Sequence, residues 1–397
     1  MELFLQQNIN AISLGAIYAL FALGYAMVFS ILGVLNLAHS AIFMWGAFVG
    51  LLALDPSKAP ILMSFLIVAI PLTGIGILSE NKLIQPLLAR GQNIPIPLQR
   101  LLALVVRALW ITALVLIGRE IFAQVLPLFP ETLTVNPLIA LILASVAGGV
   151  LSIALEFAAF RPLRSRNADR LAQLISSIGA ALILVNLAQF AFQSVYGRTE
   201  AYYPRDVALL GIGSNPIIFG ELQIFEWLNI APDAVIFGDL RIVPIRLMIL
   251  VIALVLMIFL QYLVQRTEVG QQMRAVAFNE RIASLLGIDV SRIYIITFFL
   301  AGAFGGIAGM LYGIAFLAIT PFIGESIALV GLTAIVLGGL GSIQGALVGG
   351  FIVALIQTYS VAFGGSSYRD AIVFILLFIM LLIRPQGLFG QPEQKRA

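Results

Sequence analysis

One imidazole and no thiol limit the chemistry this sequence can carry. His39 is the single histidine in 397 residues, and cysteine is absent. The lack of cysteine excludes disulfides, thiol catalysis and Cys-ligated metal sites, and a single histidine argues against a His-based metal site or proton relay. No G-x-x-x-x-G-K-[S/T] run occurs, so the chain has no phosphate-cradling loop. No serine, histidine and carboxylate stand in a context that supports a triad or an acid/base pair. A carrier driven by an ion gradient needs a carboxylate or imidazole inside the bilayer. Here Glu120 and Glu156 stand near the ends of apolar runs and Glu325 in a turn between runs. Arg107 is the one charge well inside a run, and its long stem lets it snorkel to the interface. The expectation is a chain with no catalytic site, no metal and no cofactor of its own. If it moves a solute uphill, the energy comes from another chain.

The elements that position these residues are membrane helices. The chain is 61% hydrophobic and 10% charged, where soluble domains are roughly 45–50% apolar and about 25% charged. That balance excludes an ordinary cytosolic enzyme and a nucleic-acid binder. Glu2 is the only charge before Asp55, so the start lacks the basic region of a cleaved signal and reads as a first span. A crossing takes about 20 apolar residues. On that measure spans lie near 10–31, 38–54, 60–79, 101–118, 136–158, 171–192, 245–264, 293–318, 327–341, 343–362 and 369–384, an all-α polytopic bundle of about eleven crossings, to within two, some short or broken. Arg161, Arg164, Arg166 and Arg170 make the 161–170 loop basic, as are 80–100 and the tail, whereas 197–244 is acidic. The positive-inside rule places the basic segments in the cytoplasm. The 197–244 loop, the N-terminus outside and the C-terminus inside follow by parity.

Four stretches carry more specific information. Residues 270–287 read as one short amphipathic helix, with Met273, Val276, Ala277, Ile282, Leu285 and Leu286 on an apolar side and Arg274, Asn279, Glu280 and Arg281 exposed. Gly287 suits its C-terminus. Composition alone makes it a connector lying on the membrane surface. Asn36, Leu37 and His39 suit a break between helices, where freed backbone needs polar neighbours; His39 reads first as a packing residue and only second as a pathway contact. In 297–313, Gly302/Gly306, Gly305/Gly309 and Gly309/Gly313 give overlapping small-xxx-small spacings for close helix approach. In 331–356, Gly338, Gly339, Gly341, Gly345, Gly349 and Gly350 suggest a turn or broken helix around Gly341–Gly345 with Ser342 and Gln344 at its tip. Broken helices at membrane depth can bind solute, while a plain cytoplasmic hairpin turn is the simpler reading.

The run VGQQMRAVAFNERIASLLGID resembles the EAA-type coupling loop of ABC importer permeases. Specifically it is similar to the branched-chain amino-acid permease family, the LivH-type subunit, with the urea permeases of the same superfamily close behind. Gly270, Arg274, Ala275, Ala283, Leu285, Leu286, Gly287 and Ile288 match the family pattern. The opening G-x-x-Y-A-L helix with Asn36, Ala38 and His39 matches too, with Ser40 where the family usually has glycine, as does the closing IRPQGLFG. The resemblance implies a single permease domain over 1–397, with 60–135 an insertion of two extra spans, 197–244 an external loop and 266–292 a cytoplasmic coupling loop. It implies an ATPase-coupling set of Gly270, Arg274, Ala275, Ala277, Glu280, Ala283, Leu285, Leu286 and Gly287. A translocation pathway near Asn36, His39, Gly341, Ser342 and Gln344 is a weaker expectation. The implied partners are two ATP-binding subunits, a sister permease, an extracytoplasmic substrate-binding protein and the lipid bilayer of the cell inner membrane. ATP and Mg²⁺ belong to the partner ATPase. The implied cargo is branched-chain or other small neutral amino acids. Urea or a short-chain amide, an ion-coupled carrier acting alone, and a channel or scaffold subunit remain the alternatives.

Overall fold

A computed structural model of the chain describes residues 2–68, 116–166, 168–204, 207, 217–218, 241–242, 244–364 and 368–390. Two compact units divide it: Leu52–Val135 is one, and Met1–Leu51 with Asn136–Ala397 is the other. In the first unit, residues 59–68 and 116–125 are helical. Most of the expected spans 60–79 and 101–118, with Arg107 and the basic piece 82–100, lies outside the described residues, as do most of 197–244 and the tail beyond 390.

The larger unit is helical: α1 (Glu2–Leu32), α2 (His39–Leu54), α3 (Pro137–Leu155), α4 (Arg161–Ser165), α5 (Arg170–Tyr196), α6 (Pro244–Arg266), α7 (Glu268–Phe278), α8 (Glu280–Leu285), α9 (Val290–Phe316), α10 (Ile323–Gly338), α11 (Ile343–Gly364) and α12 (Arg369–Ile383). Among the described residues the strands are two-residue pairs, β1 (Ala201–Tyr202) with β4 (Ala318–Ile319) and β2 (Ile217–Ile218) with β3 (Arg241–Ile242), both antiparallel. Six described helices are long and apolar enough to cross a bilayer, or up to seven if His39–Leu54 and Ala59–Val68 make one bent span. The expected all-α membrane bundle is therefore what the chain forms.

Burial sorts the helices. The apolar stretches of α1 and α9 are 83% and 78% buried, as helices hydrophobic all round should be. That of α5 is 22% buried and turns Leu182, Ile183 and Phe190 outward, a surface suited to lipid. The small-residue stripe of α9 does what its spacing predicts. A Cβ on Gly302 would strike the Gly148 carbonyl of α3, and one on Gly309 the Phe43 carbonyl of α2. Backbones thus approach where side chains would hold them apart.

Helix ends collect on two faces. On one, Arg164 lies over the Tyr294 ring at the start of α9. The turn at Gly341 approaches Ser30 near the end of α1, and the Leu388 N–H donates to the Leu337 carbonyl at 2.8 Å. The helix ends on this face carry Arg161, Arg164, Arg170, Arg266, Arg274 and Arg384, making it an arginine face. On the opposite face, Asn8 donates to Tyr359 at 2.8 Å, and β1 pairs with β4, joining the end of α5 to the end of α9.

Candidate functional site

The segment between α6 and α9 is built as a separate, stitched piece. The Thr267 hydroxyl oxygen accepts from the Gly270 N–H at 3.1 Å, starting α7, and donates to the Leu263 carbonyl at 2.5 Å. Arg274 donates to the Val264 carbonyl. Leu263 and Val264 lie in the last turn of α6, where carbonyls run short of helical partners; the Leu263 carbonyl accepts a long bond from the Thr267 N–H, at 3.4 Å. A Cβ on Gly270 would run into these same two carbonyls. Gly270 and Arg274 therefore fix α7 to the end of a membrane span.

The expected single helix 270–287 is two helices. Asn279 leaves helical geometry at φ −158° and ψ 109°. Its N–H closes α7 on the Ala275 carbonyl at 3.1 Å, while its side chain accepts from the Ile282 N–H at 3.0 Å and opens α8. A side-chain amide can compete for backbone groups in this way, and it ends one helix to begin the next. The single apolar side splits accordingly. Met273, Val276 and Ala283 are buried, Ala275 and Ala277 half-buried. Leu285 is 81% exposed and Phe278 75%, with Ile282 and Leu286 also exposed. Gly287, at φ +84°, ends α8 in left-handed geometry, and the Ile288 N–H reaches back to the Ala283 carbonyl at 3.1 Å.

A polar chain ties α8 to the rest of the arginine face. The Tyr294 hydroxyl donates to Glu280 at 3.4 Å. The Arg164 guanidinium lies 3.5 Å from the centre of the Tyr294 ring, a cation–π contact, and pairs with Glu156 at 2.7 Å. Glu156 is 1% exposed and opens a π-helical turn, Glu156–Phe160, between α3 and α4. Pro162 follows that turn, and its ring and missing N–H disfavour ordinary helix there. Glu156 closes an apolar run in the sequence, and nothing local joins it to Arg164 or Tyr294. A lone carboxylate closing an apolar run, followed by a proline and an arginine, was the available signal.

The other expected residues fall in different surroundings. His39 is fully buried, stacked 4.9 Å from Phe21 and edge-on 5.0 Å from Tyr25. It fills the space that Gly24 and Gly305 leave by lacking side chains. Asn36 is also buried, in the break between α1 and α2. The expected break at Gly341–Gly345 falls at Gly339–Ser342, with Gly345 already inside α11. There the Ser342 hydroxyl accepts from the Gly345 N–H at 3.0 Å, and Gln344 is exposed. Gly341–Gln344 stand on the arginine face, and the structure does not bring His39 to them. The segment after α12 also docks there, donating from Leu388 and Phe389 to the Leu337 and Gly338 carbonyls at 2.8 Å each. It supplies a C-terminal cap for α10.

The described residues thus form membrane-length helices that hold an apolar-tipped helix pair against the end of one of them. The chain belongs to the family described as the branched-chain amino acid transport system / permease component, whose profile it matches over residues 8–80 and 86–381. It is 29% identical to the high-affinity branched-chain amino acid transport system permease protein LivH of Salmonella typhimurium, covering 99% of this chain and 97% of that protein. It is 28% identical to LivH of Escherichia coli, with the same coverage, and 27% identical to BraD of Pseudomonas aeruginosa, covering 99% and 98%. No solved structure matches it.

Proposed function

We propose that this chain is the membrane-spanning permease subunit of an ABC importer in the cell inner membrane, carrying branched-chain or other small neutral amino acids. The observation that carries the reading is the exposed apolar tip of α7 and α8: Phe278, Ile282, Leu285 and Leu286 on a helix pair stitched to α6 and α9. Such a tip suits the groove of a partner, with helix-in-groove burial supplying affinity. The partner is an ATP-binding subunit, present twice, which uses ATP and Mg²⁺. A sister permease completes the pathway and an extracytoplasmic binding protein delivers cargo. The arginine face is cytoplasmic by the positive-inside rule, which sets the N-terminus outside and the C-terminus inside. ATP binding moves the ATPases, and α7–α8 moves with them. Gly270, Arg274 and Glu280 pass the displacement to α6 and α9, and the bundle changes the side to which its cavity opens.

A cysteine at Leu285 tests this, because the chain has none of its own. Crosslinking in membranes is expected to capture an ATP-binding subunit, with a yield that changes on adding ATP. Folded, membrane-inserted protein that captures no ATPase would overturn the proposal.

A further inference from the structure

The opposite face holds a cavity of about 270 Å³ with two arginines in its wall. Its size is a little under the roughly 300–1,000 Å³ of sites for drug-sized molecules. Arg246 opens α6 and donates to Asn10 at 2.5 Å. Arg369 opens α12 and donates to the Tyr18 hydroxyl at 2.7 Å and to Gln357 at 3.4 Å. All of these partners are neutral. Among the described residues neither guanidinium forms an ion pair, and Asp370, beside Arg369 in sequence, is exposed. Gln357 is 1% exposed, yet its amide nitrogen has no hydrogen-bond partner among the described residues. Ile17, Ile249 and Phe316 supply apolar wall.

Two half-buried guanidiniums that form no ion pair among the described residues, with only the exposed Asp370 acting on Arg369 as a counter-charge, are costly near a membrane unless an anion visits them. Each has five N–H donors in a fork that fits a carboxylate. We propose that Arg246 and Arg369 bind the carboxylate of a zwitterionic amino acid entering or waiting on this face, with the apolar wall taking its side chain. The inference rests on the importer reading and deepens it by naming how the cargo is held.

The test uses the full chain, purified with its membrane partners into neutral phosphatidylcholine nanodiscs without the soluble binding protein. Thermal unfolding is followed against leucine, isovalerate, leucinamide and added phosphatidylglycerol. Leucine and isovalerate, which carry a carboxylate, are expected to raise the midpoint, and leucinamide is not. Arg246→Gln and Arg369→Gln should each weaken leucine binding by about tenfold or more, as loss of a charge-assisted hydrogen bond predicts, and Arg369→Lys should retain part of the response. If the glutamine variants do not fold, the ligand series on the unaltered chain decides. Equal stabilisation by leucinamide, a leucine response untouched in folded glutamine variants, or a response to phosphatidylglycerol with none to leucine would each overturn the proposal. An ATPase captured at Leu285 without any leucine response would remove this pocket alone. A leucine response without ATPase capture would remove the importer and leave the site.

Discussion

Gly270 and Glu156 show how single side chains, or their absence, set the behaviour of the arginine face. Gly270→Ala places a methyl group against the Leu263 and Val264 carbonyls. The strain should cost about 1–3 kcal/mol, read as a lower unfolding midpoint, and uptake should fall with it. Glu156→Gln removes one member of a buried ion pair and leaves Arg164 uncompensated. That should destabilise by about 3 kcal/mol, whereas Glu156→Gln with Arg164→Met should recover part of the loss. Thermal unfolding of the single and double variants measures both values and their coupling. A pair that only decorated the surface would show no coupling.

The α7–α8 pair makes a sharper claim at the scale of an element, because its exposed tip can be changed without touching its stitches. Leu285→Asp should leave stability within about 0.5 kcal/mol, as for an exposed position, yet abolish co-purification of the ATPase. Comparing unfolding midpoint with pull-down yield separates these outcomes. Most elements were legible in the sequence. The expected spans at 136–158, 171–192, 245–264 and 343–362 each overlap one helix, because length and continuous apolarity are local properties. The junction inside 270–287 was not legible, since Asn279 reads equally as an exposed helical residue or as a cap, and only its bonds to Ala275 and Ile282 decide. The cavity with Arg246 and Arg369 was not legible either. It depends on contacts such as Tyr18 with Gln357, which lie 339 residues apart, and periodicity carries no information at that distance.

The whole molecule has a polarity that can be read directly. On the proposed orientation, a cysteine at Ser284 should react with a membrane-impermeant maleimide only in inverted vesicles, and a cysteine at Glu200 only in intact cells. The reverse pattern would turn the bundle over and place α7–α8 out of reach of ATP. The cap on α10 has a consequence of another kind. The carbonyls of Leu337 and Gly338 are satisfied by Leu388 and Phe389, which follow two further helices. A ribosome makes α10 well before it makes the groups that complete it. Until α11 and α12 have been threaded into the bilayer, the end of α10 depends on water or on the insertion machinery for its hydrogen bonds. The end of α10 is therefore closed only after the rest of the described unit has been made, and a chain that stalls before Leu388 leaves those two carbonyls to water.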